Sequence, residues 1–545
     1  MIILIHKKNY NKREEKNMVI KNQRGITIIA LVITIVIIII LATVTINMAF
    51  GDGGLLRQAE QAKDMTANSV SGEGAGINSL MAEYANVMAE DSQMPILEET
   101  KANEPVLTAN MTPIKWNGFT EVETNKYDED WYSYERQSGS TENGGTSRWA
   151  NAKNSDGSYF VWIPRYAYKI TYYTDSNKET ISEEKTAYGD IDIVFLEGTS
   201  NNYVDKNGVS GTAQKIGANV GADYTNSQKN GDKYTVHPAF TNGTSTGYAN
   251  GEWDEEVSGI WIAKYEMSME TNGVNTVISS ADVGEALTSE NSNIKAVSKP
   301  GASSWRLISI GNCYLNGLDY EPSANSHTMK NSEWGAMAYL TYSEYGRNGT
   351  KVTINNSSSY ITGSAGNTIG AAPSAITNAY NTDKGVLAST TGNIYGIYDT
   401  NGGLWATIMA YITCGNERLT TNAGSFTSMD SDEGNTSYRA ESTKYATAYP
   451  QGTATSRSGA IECGYNYWNK IYGDAVYEVS VEAESATYGS TMYNDGMEFD
   501  SSNNEPFFIR GGCLNNGNVA GSFMMADFAG SREHGTNSFR VVLIP

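Results

Sequence analysis

The most extended apolar segment of this 545-residue chain lies close to its N-terminus. Residues 26–48 contain no Asp, Glu, Lys, Arg or His, and about 20 apolar residues in a helix are enough to cross a bilayer core roughly 30 Å thick. Seven Lys and Arg residues precede the segment, and Asp52 is the first charge after it, which orients the C-terminal side outside the cell. The pattern predicts a membrane-spanning helix over residues 26–50.

Helical spacing continues for a short distance after this segment. Residues 55–68 and 77–89 each place apolar side chains on one helical face, and a Gly-rich stretch separates them. We therefore predict a helical stalk over residues 51–94 that is broken once. Residues 95–148 begin with Pro and Glu and lack periodicity, so they are predicted to form a linker and the margin of the following domain.

From residue 149 onward the apolar runs are short and strand-like, and they alternate with loops rich in Asn, Gly, Ser and Thr. The clearest runs are residues 159–173, 258–268, 334–346, 392–405 and 539–545. The last of them is predicted to be a strand of the core, because an apolar strand held in a sheet does not fray. Together with the preceding helices, these runs predict an α+β fold: a long N-terminal hydrophobic helix followed by one loop-rich domain over residues 149–545.

The net charge and the amino-acid composition indicate which kinds of molecule the protein can bind. The formal net charge is -22, and an acidic surface repels phosphate backbones, so nucleic-acid binding is excluded. The chain has 35 Tyr against 12 Phe and is rich in small polar residues. This balance is typical of an exposed, β-rich extracellular protein whose aromatic rings carry a polar group.

Cysteine and histidine positions argue against a metal centre. Four cysteines are spread through the C-terminal part of the chain without a C-x-x-C pair, namely Cys313, Cys414, Cys463 and Cys513. They allow two disulfides in three connectivities, or free buried thiols, and both alternatives stay open. Because His237, His327 and His534 are far apart along the chain, we predict neither a metal nor another cofactor.

The N-terminal pattern resembles type IV prepilin-like proteins. A short basic stretch at residues 21–24 is followed by Gly25 and then by the apolar segment. The resemblance implies that a prepilin peptidase cleaves between Gly25 and Ile26, removing a basic leader of residues 1–25, and that other pilin subunits are partners. Ala30 stands where pilins usually carry Glu, which argues against efficient polymerisation. Either Met1 or Met18 is the start.

Four segments resemble, in order and spacing, the formylglycine-generating enzyme family, a variant of the C-type lectin fold: residues 259–266, 393–405, 508–513 and 537–543. The resemblance implies a C-type-lectin-like head over residues 149–545. Enzymes of that family bind copper with a closely spaced cysteine pair near their C-terminal end and oxidise a substrate cysteine. Here the corresponding stretch carries only Cys513, so we predict a protein that is not an enzyme.

Two arginines in these segments are candidates for holding the fold together. Arg510 and Arg540 are expected to pair with buried carboxylates such as Asp399 or Glu266. Trp405, which follows a turn at residues 401–403, is expected to be buried. A structural role for these residues is favoured over a functional one.

The same resemblance extends to the variable proteins of diversity-generating retroelements, which bind ligands between the Arg-Gly-Gly motif and the terminal Phe-Arg-Val strand. In this chain that interval is residues 513–538, and its mixture of Met, Phe, Arg, Glu and His suits a recognition surface. The ligand-binding residues that this implies are Leu514, Asn516, Ser522, Met524, Asp527, Arg532 and His534.

The leading functional hypothesis is a surface or pilus-associated protein, such as a minor pilin or adhesin, whose head binds an extracellular protein or glycan. It would be a single-pass protein of the cell membrane with its head outside, or part of an extracellular pilus after processing. One alternative is a pseudopilin of a secretion or pilus assembly system, with a structural head. A less favoured alternative is a formylglycine-generating-type oxidase.

Overall fold

The chain divides into two compact units, Met1–Ile96 and Leu97–Pro545. The computed structural model describes residues 97–545 apart from 216–232, 243–252, 287–292, 376, 414–416, 424–425, 430–437, 441–442, 451–470, 482–488 and 499–504. The predicted leader (1–25), hydrophobic helix (26–50) and stalk (51–94), together with the processing site at Gly25 and Ile26, lie outside the described residues.

The first large sheet of the described unit is antiparallel and contains seven strands, in the order β14-β25-β10-β4-β3-β1-β2. Its strands are β1 (Met111–Asn117), β2 (Thr120–Glu123), β3 (Asn151–Asn154), β4 (Tyr159–Pro164), β10 (Gly259–Ala263), β14 (His327–Thr328) and β25 (Val541–Leu543). Residues 97–148, assigned from sequence to a linker and margin, thus contribute β1 and β2 to this sheet.

Strands β4, β10 and β25 of this sheet are buried at every position, whereas β2 at the sheet edge is mostly exposed. In β4, Val161 faces one hydrophobic core while the adjacent Trp162 faces the other. In β25, Val542 and Leu543 divide in the same way. Successive side chains of a strand point to opposite faces, so a strand between two cores needs apolar residues at every position.

The second large sheet is mixed and contains eight strands, in the order β18-β15-β22-β23-β21-β20-β19 with β24 paired to β15. Its strands are β15 (Trp405–Thr413), β18 (Thr447–Pro450), β19 (Ser480–Val481), β20 (Gly489–Thr491), β21 (Gly496–Glu498), β22 (Phe507–Arg510), β23 (Met525–Phe528) and β24 (Asn537–Phe539). β15 pairs in parallel with both β18 and β24, and in antiparallel fashion with β22.

Small sheets and short helices complete the described unit. Three-stranded sheets are formed by β5 (Tyr166–Tyr172), β6 (Gly189–Phe195) and β9 (Thr235–Val236), and by β11 (Ser268–Thr271), β12 (Val274–Asn275) and β13 (Ile294–Val297). Two-stranded ribbons are β7 (Asn202–Val204) with β8 (Ser210–Thr212), and β16 (Thr427–Met429) with β17 (Tyr438–Ala440). The α-helices are α1 (Ala281–Gly284), α2 (Ile310–Tyr320), α3 (Asn331–Tyr342) and α4 (Arg418–Thr421), and 3-10 turns lie at Pro238–Phe240, Pro322–Ala324, Gly385–Ala388, Thr443–Tyr445 and Gly517–Val519.

The predicted α+β class is wrong for the described part of the chain, while the predicted N-terminal hydrophobic helix lies outside that part. Within the described ranges there are twenty-five strands but only four α-helices, of which the longest, α3, has 12 residues. The reason is local: β-branched and aromatic runs interrupted by Gly and Asn favour strands. α2, with 11 residues, and α3 are the two longer helices among these four. In α3, Ala, Met and Leu support a helix, and the carboxylate of Glu333 accepts the Lys330 N–H to close its first turn.

The predicted single-pass membrane location and the transmembrane, prepilin-type description also require correction. None of the helices that the structure describes is long and apolar enough to cross a bilayer.

The expectation that residues 539–545 belong to the core is confirmed. β25 lies between β10 and β14, with Trp261 opposite Leu543 and His327 opposite Val542. Trp405 is buried as expected. The C-terminal segment therefore forms part of the central packing rather than a tail.

Candidate functional site

The predicted ligand-binding interval, residues 513–538, forms a buried strand with an exposed turn at each end. Seven ligand-binding residues were predicted from the sequence. Four of them are buried, namely Leu514, Ser522, Met524 and Asp527. Asn516 is half-buried, and Arg532 and His534 are exposed. β23 lies between β22 and β21. The seven residues therefore do not share one surface, because the strand separates the two turns.

We call residues 514–519 the asparagine turn. Lys351 Nζ donates to the Asn518 carbonyl at 2.6 Å and forms an ion pair with the fully buried Asp495 at 2.7 Å. The other Asp495 oxygen accepts from the Phe523 N–H at 2.9 Å, and the Asn516 side chain accepts from the Cys513 N–H at 2.7 Å. The side-chain amide of Asn516 is thus hydrogen-bonded within the protein, and the main role of the asparagine turn is to hold this part of the fold together.

Gly521 is the residue on which this role of the asparagine turn depends. A Cβ atom at position 521 would overlap the Asp495 carboxylate, whereas at Gly139 a Cβ would meet nothing within 4 Å. We expect Gly521→Ala to lower the free energy of unfolding by about 1–3 kcal/mol through overpacking, and Gly139→Ala to leave it nearly unchanged. Urea denaturation of the two variants would measure this, and equal midpoints would contradict the role assigned to Gly521.

We call residues 531–535 the charged turn, because Arg532, Glu533 and His534 are all exposed there. Its two ends are fixed by the main chain. The Ile310 N–H at the start of α2 donates to the Gly530 carbonyl at 3.1 Å, and the Trp405 N–H at the start of β15 donates to the Thr536 carbonyl at 2.8 Å. The exposed side chains are thus carried on a backbone anchored to two elements.

Two side chains hold the charged turn further. Asn422 donates to the Ala529 carbonyl at 2.7 Å, and Arg306 Nη1 donates to the Gly535 carbonyl at 3.3 Å. The Arg306 guanidinium lies over the Tyr360 ring, 4.3 Å from its centroid, a cation–π contact. Loops positioned in this way by a rigid framework are common places for binding residues.

The electrostatics around the charged turn are of mixed sign. Burial raises the pKa of Glu285, with Arg532 nearby acting in the opposite direction. Burial also lowers the pKa of His534, whose ring meets Phe528 edge-on at 5.1 Å between centroids. The imidazole is therefore favoured in its neutral form near pH 7, beside one exposed cation and one exposed anion.

Arg510 and Arg540, the two arginines predicted to hold the fold together, are fully buried and donate hydrogen bonds to groups inside the protein. Arg540 donates to the carbonyls of Ala263 and Tyr398, both at 2.7 Å, and to that of Asp399 at 3.3 Å. It thus contacts the Asp399 backbone, and its charge lowers the pKa values of Glu266 and Asp399, which burial raises. This arrangement agrees with the structural role predicted for Arg540.

Arg510 lies in a different part of the interior. It donates to Asn331 Oδ1 at 2.7 Å and to the Asp474 carbonyl at 2.9 Å. Burial raises the pKa of the Asp474 carboxyl to about 6, although the Arg510 charge opposes the shift. The partner of Arg510 is therefore the Asp474 segment, not the Asp399 or Glu266 predicted from sequence.

The described cysteines and histidines do not converge. Cys313 and Cys513 are both buried, and burial raises the pKa of the Cys313 thiol well above its usual value. Cys414 and Cys463 lie outside the described residues. In the ranges that the structure covers, no group of three His, Cys, Asp or Glu side chains is placed to hold a metal ion. His237 and His327 are buried, whereas His534 is exposed.

Sequence reasoning missed Lys351, Asp495 and Arg306, which position the two turns. None of them lies in a recognisable motif, and each becomes adjacent to its turn only through the fold. The positive φ of Gly370, whose Cβ would lie 2.7 Å from the Asn518 Cβ, likewise follows from packing that the sequence does not display.

No known family model matches this chain, and no curated protein matches it either. The resemblances to prepilin-like proteins and to the formylglycine-generating enzyme family therefore stay predictions, and the candidate site rests on its own geometry.

Proposed function

We propose that the unit of residues 97–545 is a non-catalytic ligand-recognition module whose binding face is the charged turn. The observation that carries this proposal is the contrast between the turn's side chains and its backbone. Arg532, Glu533 and His534 are consecutive and exposed, while the carbonyls on either side of them are held by α2 and β15. A binding loop whose backbone is already ordered loses less conformational entropy when it binds.

The chemistry of the turn suits a protein ligand of mixed charge. Arg532 offers a planar guanidinium that can bind a carboxylate with two hydrogen bonds, and Glu533 offers an acceptor for a Lys or Arg. The imidazole of His534 both donates and accepts when neutral. Such adjacent opposite charges give specificity, because a partner must present the complementary order of charges.

A phage-displayed random peptide library, selected on the immobilised full-length protein, tests this proposal. We expect the selected peptides to bind the double variant Arg532→Ala/Glu533→Ala at least about ten-fold more weakly than the unmodified protein, a loss of about 1.4 kcal/mol. Surface plasmon resonance with synthetic copies of the peptides would measure the affinities.

The matched control is Lys101→Ala/Glu179→Ala. It also removes one positive and one negative charge, and both of its residues are exposed. The control should keep the full affinity. Selection of no peptide above background, or equal affinity of the peptides for both double variants, would show that the charged turn is not the binding face.

A further inference from the structure

A groove of about 440 Å³ opens beside the ribbon of β7 and β8. None of its lining residues belongs to the interval 513–538, so it is independent of the charged turn. Its volume falls in the range of small-molecule binding sites, about 300–1,000 Å³. The groove is lined by the ribbon itself, by Thr100 and by Glu197.

One wall of this hairpin groove is a fixed aromatic ring. Tyr203 stands directly opposite Gly211 across the ribbon, and a Cβ atom at position 211 would overlap the Tyr203 ring. The edge of the ring is held by Tyr234, with the centroids 5.1 Å apart and the planes at 70°. The ring therefore lies across the ribbon where only glycine leaves room for it, and it is half-exposed to the groove.

The remaining lining is polar and carries hydroxyl, amide and carboxylate groups. Thr212 Oγ1 donates to Asn202 Oδ1 at 3.0 Å, and Ser210, Thr212, Asn202 and Glu197 are all exposed. The lining contains neither Lys nor Arg. A ligand with an anionic group would meet the Glu197 carboxylate without a compensating cation, whereas a neutral ligand with many hydroxyls would find both donors and acceptors.

The groove is also preorganised by the backbone around it. The Thr100 N–H donates to the Val204 carbonyl at 3.0 Å, and the Val204 N–H donates to Thr100 Oγ1 at 2.7 Å. Beneath the approach to β7, the buried Arg165 donates to the Ser200 carbonyl at 3.1 Å and to Asn201 Oδ1 at 2.8 Å. These contacts hold β7 and the segment before it in position before any ligand arrives.

We propose that the hairpin groove binds a short neutral saccharide, with one sugar ring against Tyr203 and its hydroxyls hydrogen-bonded to Asn202, Thr212 and Glu197. An aromatic ring covers the apolar C–H face of a sugar, while the polar groups on the rim recognise the hydroxyls around it. The chemistry fits hydroxyl-rich uncharged ligands and disfavours sialylated or sulfated ones.

Isothermal titration of the full-length protein with cellotetraose, maltotetraose, chitotetraose and a sialylated lactose tests this proposal. We expect one of the neutral oligosaccharides to bind and the sialylated one to fail. Tyr203→Ala should weaken binding by about ten-fold or more, as removal of a central aromatic contact does. Tyr127→Ala removes a tyrosine that is 81% exposed and lies outside the groove, and should leave the affinity unchanged.

Glu197→Gln and Thr212→Val test the rim without removing the ring, and circular dichroism of each variant checks that it is folded. Each of these two should weaken binding several-fold. The proposal is overturned if none of the neutral oligosaccharides binds at millimolar concentration, if the sialylated lactose binds as well as they do, or if the folded groove variants bind like the unmodified protein. The charged-turn variant Arg532→Ala/Glu533→Ala should keep saccharide binding, which separates this test from that of the proposed function.

Discussion

Arg540→Met is expected to lower the free energy of unfolding by about 3–5 kcal/mol, the loss typical of removing one partner from a buried charged network. Whole domains are stable by only about 5–15 kcal/mol, so the variant should lose a large part of its stability. The reason lies in two buried carboxyl groups, Glu266 and Asp399, whose neighbouring positive charge is Arg540. The same guanidinium also donates to three carbonyl groups, all of which would lose a charged donor.

Urea denaturation followed by tryptophan fluorescence would measure this loss. Arg540→Lys keeps the charge but not the planar arrangement of donors, and we expect it to fall between Arg540→Met and the unmodified protein. Arg148→Met is the control, because Arg148 is only half-buried and such changes usually cost well under about 1 kcal/mol. If Arg540→Met and Arg148→Met unfolded at the same urea concentration, Arg540 would have no such role.

His237 is expected to make the protein progressively less stable as the pH falls from about 6.5 to 3. Its ring is fully buried among Tyr166, Tyr168 and Phe240, and burial lowers its pKa to about 3. In the unfolded chain the pKa returns to about 6.5, so between these values the unfolded state binds a proton that the folded state does not. Stability is therefore complete above pH 6.5 and decreases by up to about 1.4 kcal/mol per pH unit below it.

His237→Asn isolates this effect. An Asn side chain can still accept the Ala239 N–H, as Nδ1 of His237 does at 3.2 Å, but it does not titrate. The difference in unfolding free energy between the unmodified protein and the variant should shift by about 2 kcal/mol between pH 6.5 and 4.5. Burial also lowers the pKa of His534, but this ring is less buried than that of His237, so His534→Asn should show a smaller shift in the same direction. A difference that stays constant over this pH range would show that the His237 pKa is not depressed.

The inner strands of the seven-stranded sheet could be predicted from the sequence, because strands that are buried on both faces have apolar residues at consecutive positions. Residues 259–263 and 541–543 are apolar at nearly every position, as strands between two cores must be. What the sequence pattern does not reveal is that Trp261 pairs with Leu543, because the pairing joins segments from widely separated parts of the chain.

The ligand-binding interval was harder to interpret, because small polar residues serve both exposed loops and tightly packed turns. Met524 was assigned to a surface but is buried, since a Cβ at Gly512 would lie 2.7 Å from its sulfur atom. Ser522 is likewise buried, and its hydroxyl donates to Asn401 Oδ1 at 2.8 Å. Arg532 and His534 are exposed because they lie beyond the C-terminal end of β23. The sequence does not show where β23 ends, because its end depends on the pairing with β22.

The hairpin groove could not be predicted at all. Neither Tyr203 nor Gly211 is distinctive alone, and their relation depends on the register of a ribbon with three-residue strands. A slip of one residue would place Tyr203 opposite a residue with a side chain and remove the space for the ring.

The path of the last strands bears on how the protein is made. β23 and β24 complete the mixed sheet, and β25 then pairs between β14 and β10 of the antiparallel sheet, so neither sheet can be completed before residues 525–543 have left the ribosome. Until then β10 and β15 present unpaired strand edges, which are sites of intermolecular pairing. During synthesis the nascent chain thus carries one open edge once β10 (Gly259–Ala263) is made and a second once β15 (Trp405–Thr413) is made. Products terminated between these points and β25 would be expected to aggregate rather than accumulate as soluble fragments.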